Sequence, residues 1–188
     1  MKSLNSFRGS FAAPCALAMG LILAGGLSAQ TVVTLPNTAQ ETTLTADVRE
    51  QARVTVPAGV TFTVTDISVD TVASAASVTI DNIVMASSTK QLKVSVQASA
   101  TAFSPSVAEA VTWDAADVSW GAASWTNATG ASGVLSNTTY NAVATCAADA
   151  AACSTTGLVF TLAQKQTVKR SGNHTLALTW KFESVAGV

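Results

Sequence analysis

The feature that most constrains this chain is a strict alternation of apolar and polar side chains near its C-terminal end. Across residues 174–183, large apolar residues occupy every second position, with small, polar or charged residues between them. Successive side chains of a β-strand point to opposite faces, whereas a helix repeats its faces about every 3.6 residues. The stretch is therefore predicted to be a strand with one buried face. Its apolar set is Leu176, Leu178, Trp180 and Phe182.

The same period of two recurs along most of the chain. Short alternating runs are separated by turn residues, and no helical pattern is sustained between them. Such a sequence is typical of antiparallel sheets with one wet face, so we predict an all-β fold. The expected architecture is a single antiparallel β-sandwich of immunoglobulin-like or jelly-roll-like type, and a closed β-barrel is the alternative. The clearest further runs are Val60/Phe62/Val64, Leu92/Val94/Val96 and Leu158/Phe160/Leu162.

Two local predictions follow from the turn residues. Residues 156–164 and 174–183 are expected to form a hairpin, because Ser171-Gly172-Asn173 is a strong turn signal between them. Residues 43–56 are expected to form a strand that is interrupted near Glu50, where the alternation breaks.

The first residues resemble an export signal. Lys2 and Arg8 precede an apolar run over residues 11–27, and Ala29 is the small residue at which a signal peptidase would cut. We therefore predict a cleaved signal peptide over residues 1–29, a single domain over residues 30–188, and a secreted or cell-surface location. No later stretch is long and apolar enough to cross a bilayer, so no transmembrane segment is expected after cleavage.

Two cysteines follow the predicted leader. Cys146 and Cys153 are separated by six residues, mostly alanine. In an exported chain an even pair is most simply a disulfide. We predict that this bridge closes a short loop and stabilises a hairpin.

The charge balance argues against nucleic acid as a partner. Ten Lys and Arg oppose eleven Asp and Glu, and two of those ten basic residues lie in the leader. A phosphate backbone would therefore meet no concentrated positive charge. The chain also lacks the glycine motifs that bind nucleotides, so no cofactor is expected.

The residues for catalysis are sparse. His174 is the only histidine and no nucleophile elbow accompanies it. Asp114, Asp117 and Glu109 would be the candidates for a carboxylate pair acting on a glycoside, although capping and loop carboxylates are far commoner. We predict no enzyme and no metal site. Calcium binding stays open, through Asp114 and Asp117 or through Asp66 and Asp70.

An aromatic cluster is the first candidate binding surface. Trp113, Trp120, Trp125 and Tyr140 lie in a segment rich in Gly, Ser and Asn. Tryptophan offers a large rigid face on which sugar rings stack, so these residues are a possible ligand-binding platform. Packing inside the sandwich is the simpler interpretation, because residues 113 and 120 would face opposite sides of one regular strand.

The second candidate is a short strand behind the predicted cleavage site. Residues 31–35 are β-branched or apolar, and Pro36 ends them. Once freed by cleavage, such a strand could pair with the sheet edge of another copy, with main-chain hydrogen bonds supplying affinity. The possible assembly strand comprises Thr31, Val32, Val33, Thr34 and Leu35.

The leader, the Ala/Thr/Val-rich strands and the closing stretch over residues 172–182 resemble uncharacterised secreted bacterial proteins with immunoglobulin-like surface folds. That resemblance implies an extracytoplasmic setting and carries over no catalytic residue. The leading hypothesis is a non-enzymatic structural or surface protein, a self-assembling fibre or matrix subunit whose partner is another copy of itself. The alternative is a carbohydrate-binding or adhesive module with a cell-surface glycan as its partner.

Overall fold

The computed structural model describes residues 32, 34–36, 40–108 and 111–187. The chain divides into two compact units, Met1–Thr45 and Ala46–Val188, and the β fold lies in the second. Described residues of the first unit are exposed and have no regular secondary structure. The predicted leader, residues 1–29, lies outside the described residues. No helix in the described part of the chain is long and apolar enough to cross a membrane.

The second unit consists almost entirely of strands, with one 3₁₀ turn at Ala115–Asp117. In chain order the strands are β1 (Gln51–Thr55), β2 (Thr71–Val72), β3 (Ala76–Val84), β4 (Lys90–Ala98), β5 (Ser104–Pro105), β6 (Val118–Trp120), β7 (Ala128–Gly130), β8 (Gly133–Val134), β9 (Asn141–Cys146), β10 (Cys153–Leu158), β11 (Phe160–Leu162), β12 (His174–Thr175) and β13 (Leu178–Ala186).

All paired strands are antiparallel, and apart from the short two-stranded sheet β12-β5 they form two layers. One layer is a four-stranded sheet in the order β13-β4-β9-β7. In the other, β1-β3-β10 and β2-β11-β6-β8 run on into each other, because β2 leads into β3 and β10 leads into β11. The sheets do not close into a barrel, so the predicted all-β sandwich is confirmed.

One hydrophobic core joins the two layers. Most of its members come from the inward positions of β3, β4, β6, β9, β10 and β11, as the alternation predicts, and Trp113, Leu135 and Val168 join them from connecting segments. The predicted strand at Leu92/Val94/Val96 is confirmed as β4, whereas the one at Leu158/Phe160/Leu162 is divided between β10 and β11; all six side chains are buried. The largest fully buried side chains are Phe160, Ile80, Leu135, Leu158, Val78, Val94, Val96 and Val143.

The predicted hairpin between residues 156–164 and 174–183 is wrong. β11 pairs with β2 and β6, whereas β13 pairs along its whole length with β4. Local alternation fixes which face of a strand is buried, but it carries no information about a partner some ninety positions away. The final strand is therefore a long-range element of the other layer.

The disulfide between Cys146 and Cys153 is present, and both residues are buried. The prediction that it stabilises a hairpin is wrong, because β9 and β10 belong to different sheets. The bridge instead links the two layers at the point where the chain crosses from one to the other.

The interrupted strand predicted over residues 43–56 is only partly formed. Gln51–Thr55 pairs with β3, but residues 43–50 are exposed and form no strand. Leu44 is 92% exposed and Val48 is 69% exposed, although their alternation equals that of true strands. The alternating pattern of residues 43–50 therefore does not lead to pairing with any described strand.

Candidate functional site

The most prominent concave feature of the described residues is an apolar cleft of about 1080 Å³. It opens between the first half of β13 and residues 56–64, which follow β1. We use "the cleft" for this feature throughout. It is lined by Val56–Phe62, Val64, Ile67, Phe103, Trp113, Val118, Leu135, Phe160, Leu162, Val168–Leu178 and Trp180.

One side of the cleft is the edge of the four-stranded sheet. β13 pairs with β4 on one side only, and no described strand pairs with its other side. Its inward side chains Leu178, Trp180 and Phe182 are only half-buried, although they pack against the core. A nine-residue edge strand with apolar side chains is a ready template for pairing with another strand.

The opposite side has the same character. Val60, Phe62 and Val64 alternate as the sequence predicts and are half-buried, yet residues 56–64 form no strand. The chain leaves the β1 ladder at Pro57, which has no N–H to donate. No backbone-to-backbone hydrogen bond is found for residues 56–66 within the described chain. The next residue, Ile67, accepts one at its carbonyl from the Lys165 N–H.

The floor of the cleft reaches the core itself. Trp113, Val118 and Phe160 are buried and line it from below. The two half-buried rows therefore flank an opening in the sandwich that no described strand covers. Contiguous apolar surface of this kind is uncommon on monomeric domains.

The rim of the cleft is basic. Lys169 and Arg170 are exposed and line its mouth, together with His174. Gly172 shapes this rim with a φ of 125°, and a Cβ there would collide with the Ser106 side chain.

His174 has structural partners. Its Nδ1 lies 2.7 Å from the Thr112 hydroxyl and its Nε2 lies 3.3 Å from the Arg170 carbonyl oxygen. The ring also meets Trp113 edge-on, with 5.4 Å between centroids. These contacts fix β12 beside the cleft. The role of Thr112 was not foreseen, because nothing in the local sequence connects positions 62 apart.

The four aromatic candidates do not form one platform. Trp113 and Trp120 are buried in the core, and their indole N–H groups donate to the carbonyls of Ala163 and Ala131 at 2.9 and 3.0 Å. Packing in the sandwich, the simpler interpretation of these two residues, is what the structure shows. A sugar ring would find neither indole face accessible.

The other two aromatic candidates lie elsewhere. Trp125 is half-buried and its Nε1 has no hydrogen-bond partner among the described residues. Tyr140 is 36% exposed, with the Lys181 ammonium 5.4 Å from its ring centroid. No ring contact joins these two within the described structure.

The candidate carboxylates serve the fold. Asp114 and Asp117 both accept hydrogen bonds from Lys165 Nζ, at 2.7 and 2.8 Å. Burial lowers the pKa of Lys165, but the two carboxylates outweigh it and the pKa lies above its ordinary value. Asp66 accepts from Ser68, and Asp70 accepts from the Gln164 amide.

Glu109 lies outside the described residues. Within the described ranges no three His, Cys, Asp or Glu residues cluster as a metal site would require.

Glu50 fixes the point where the N-terminal segment leaves the sandwich. Its carboxylate accepts hydrogen bonds from the Ala86 amide at 2.8 Å, and from Lys90 Nζ and the Ser184 hydroxyl at 3.1 Å each. The Ala86 amide is the main reason that the pKa of Glu50 lies below its ordinary value, followed by Lys90. Since Ser184 belongs to β13, the chain enters the fold beside the free edge strand.

The predicted assembly strand falls partly outside the described residues, which exclude Thr31 and Val33. Val32 and Leu35 are 101% and 81% exposed, and neither they nor Thr34 belong to a strand. The described members of this segment are therefore exposed and unpaired with any described strand.

Comparisons with known proteins give no family. No protein-family model matches the chain, and neither a curated protein nor a solved structure is significantly similar to it.

Proposed function

We propose that this protein is a non-enzymatic structural subunit that acts outside the cytoplasm and assembles with copies of itself by strand addition. The observation that carries the proposal is that an open sheet edge lies directly beside an apolar cleft. One side of β13 pairs with no described strand, and half-buried side chains of two flanking segments face the opening. Strand addition satisfies the main-chain groups of such an edge and buries the apolar row beside it.

The same molecule offers an element to add. We call residues 31–49 the N-terminal arm. Its described members are exposed and belong to no strand, but they carry β-branched and alternating apolar residues. The arm of one copy adds to the open sheet edge of the next copy. Repetition of this head-to-tail contact produces a fibre.

The setting agrees with this role. The predicted leader directs export, and the Cys146–Cys153 disulfide is a feature of oxidising compartments. Polar surface is supplied largely by Thr, Ser and Asn, since charged residues make up only 11% of the chain.

The test is the assembly state of the full chain, expressed with its own leader and purified after export. Light scattering coupled to size exclusion should show species larger than a monomer that grow with protein concentration. A variant that lacks residues 31–49 should be a folded monomer with an unchanged circular dichroism spectrum. A monomeric intact protein, or assembly unaffected by the deletion, would contradict the proposal.

A further inference from the structure

We propose that the cleft receives a β-strand centred on Leu44, Ala46 and Val48 of a second copy, paired with the free edge of β13. This inference rests on the proposed function and makes it specific. It names the surface that accepts the arm, and it assigns the insertion to residues 44–48 rather than to residues 31–35.

The donor pattern favours residues 44–48. Three apolar side chains alternate there with Thr45 and Asp47, so all three point to one face of an extended chain. Leu44 and Val48 are 92% and 69% exposed, which leaves that face uncovered within the described structure. By contrast, residues 31–35 place two apolar side chains on one face and one on the other before Pro36 ends the strand.

The cleft can accept both the main chain and the side chains of this donor strand. A strand laid along β13 obtains main-chain partners from its unpaired edge. Alternate side chains of that strand then point between Trp180 and Phe62, towards the buried floor of the cleft. Polar side chains of the donor, such as Thr45, remain on the solvent side.

Charge supports the same choice. Lys169 and Arg170 stand exposed at the mouth of the cleft. The donor segment, residues 44–48, carries Asp47, whereas residues 31–35 carry no charge. Asp47 pairs only with Arg49 in an ion pair whose two side chains are 74% and 85% exposed, a contact too weak to withhold it from a partner.

Direction of the chain favours a second copy over the molecule's own arm. Glu50 is held beside Ser184, near the C-terminal end of β13. An arm that folded back from this anchor onto its own β13 would have to run parallel to it. Antiparallel pairing is the slightly more stable arrangement, and a second copy is free to adopt it.

The experiment begins with two matched variants of the full exported chain, studied by sedimentation velocity. Leu44→Asp/Val48→Asp introduces two charges into the proposed donor face, and Val32→Asp/Leu35→Asp introduces the same charges into the other segment. We expect the donor variant to weaken self-association by about 100-fold or more, as expected for hot-spot residues, and the matched control to change it little.

A peptide tests the acceptor without altering it. A synthetic peptide of residues 40–49, titrated into the monomeric donor variant, should bind and shift tryptophan emission to shorter wavelength as Trp180 becomes covered. The shift should disappear when Trp180→Phe is added to the donor variant. A peptide that carries the substitutions Leu44→Asp and Val48→Asp should not bind.

The outcomes separate the two proposals. If the intact protein assembles but the control variant is the one that fails, or the peptide of residues 40–49 does not bind, the inference is overturned and strand addition by another segment stands. If donor and control variants both assemble normally, residues 44–48 are not the donor. If the donor variant binds the peptide but a monomeric parent protein, whose arm is intact, does not, the arm occupies the cleft of its own molecule. That result also overturns the inference. An intact protein that never assembles removes the proposed function itself.

Discussion

Ser184 in β13 donates a hydrogen bond from its hydroxyl to the carboxylate of Glu50, 3.1 Å away, directly before β1 of the other layer. This contact joins the edge strands of the two sheets at one end of the sandwich. At the other end of β13 the described residues form no such contact with β1, and the cleft opens there. The closed end thus holds the base of the N-terminal arm, whereas no described strand covers the open end.

Replacement of Glu50 by Gln should loosen this joint and reduce the pH dependence of stability. Hydrogen bonds lower the pKa of Glu50 in the folded state. Its contribution is therefore present above the ordinary glutamate pKa of about 4.3 and is lost as the pH falls through the lower folded-state value. Urea midpoints measured from pH 7 to pH 3 should fall less steeply in Glu50→Gln than in the parent. Equal slopes for both, with Glu41→Gln as the matched exposed control, would show that Glu50 makes no such contribution.

Removal of the disulfide should destabilise the sandwich without changing its fold. In the chain-entropy description, a loop this short contributes about 2.5 kcal/mol. Because Cys146 and Cys153 join different sheets, the loss should also separate the layers locally. Denaturant unfolding of Cys146→Ala/Cys153→Ala should show the lower midpoint, with a second comparison made on reduced parent protein. A midpoint equal to that of the oxidised parent would contradict the role assigned to the bridge.

Lys165→Met should leave Asp114 and Asp117 without their shared cation and cost about 1–2 kcal/mol. The pKa of Lys165 is raised in the folded state, so the stability it supplies is complete below the ordinary lysine pKa of about 10.4. It is lost as the pH rises through the higher folded-state value. Thermal melts of parent and variant should therefore converge in strongly alkaline solution. Lys169→Met, at an exposed position, is the control that should melt like the parent near neutral pH.

Ser95→Ala should stabilise the domain. Ser95 is completely buried in β4, and its hydroxyl has no hydrogen-bond partner in the described structure. Removing an unsatisfied buried hydroxyl relieves a penalty of about 1 kcal/mol or more. A higher urea midpoint is expected, and a lower one would mean that the hydroxyl has a partner in solution.

Trp120→Ala and Tyr140→Ala should behave differently. Trp120 is buried against Phe160, with 5.9 Å between ring centroids, so its truncation should cost about 3–5 kcal/mol. Tyr140 is partly exposed and its truncation should cost far less. Chemical denaturation distinguishes the two. Any glycan-binding assay of these variants therefore needs a folding control, because loss of binding in Trp120→Ala would report unfolding first.

Burial was predicted from the sequence far better than pairing was. Alternation identified the inward side chains of β4, β11 and β13 because each depends only on local period. It could not show that β13 pairs with β4, since register between distant strands is set by the whole sandwich. The composition around Trp113 and Trp120 was compatible with either a platform or a core, and only their positions in the layers decided between them.

Only one part of the candidate site could be predicted from the sequence. The sequence pointed to a free N-terminal strand, but the cleft is formed by segments more than a hundred positions apart, Val56–Phe62 and Val168–Leu178, and no local pattern announces an edge without a neighbour. Leu44 and Val48 illustrate the same limit. Their alternation predicts a strand, and the structure shows only that the partner is not supplied by the described part of the chain.

The most direct test of the account is amide hydrogen exchange of β13 in the assembled protein and in the monomer that lacks residues 31–49. In the monomer, amides of Leu178–Ala186 that face away from β4 should exchange rapidly, because no described strand covers them. In the assembled protein the same amides should become strongly protected as the arm of a second copy pairs with them. Assembly that leaves the exchange of β13 unchanged would contradict the account.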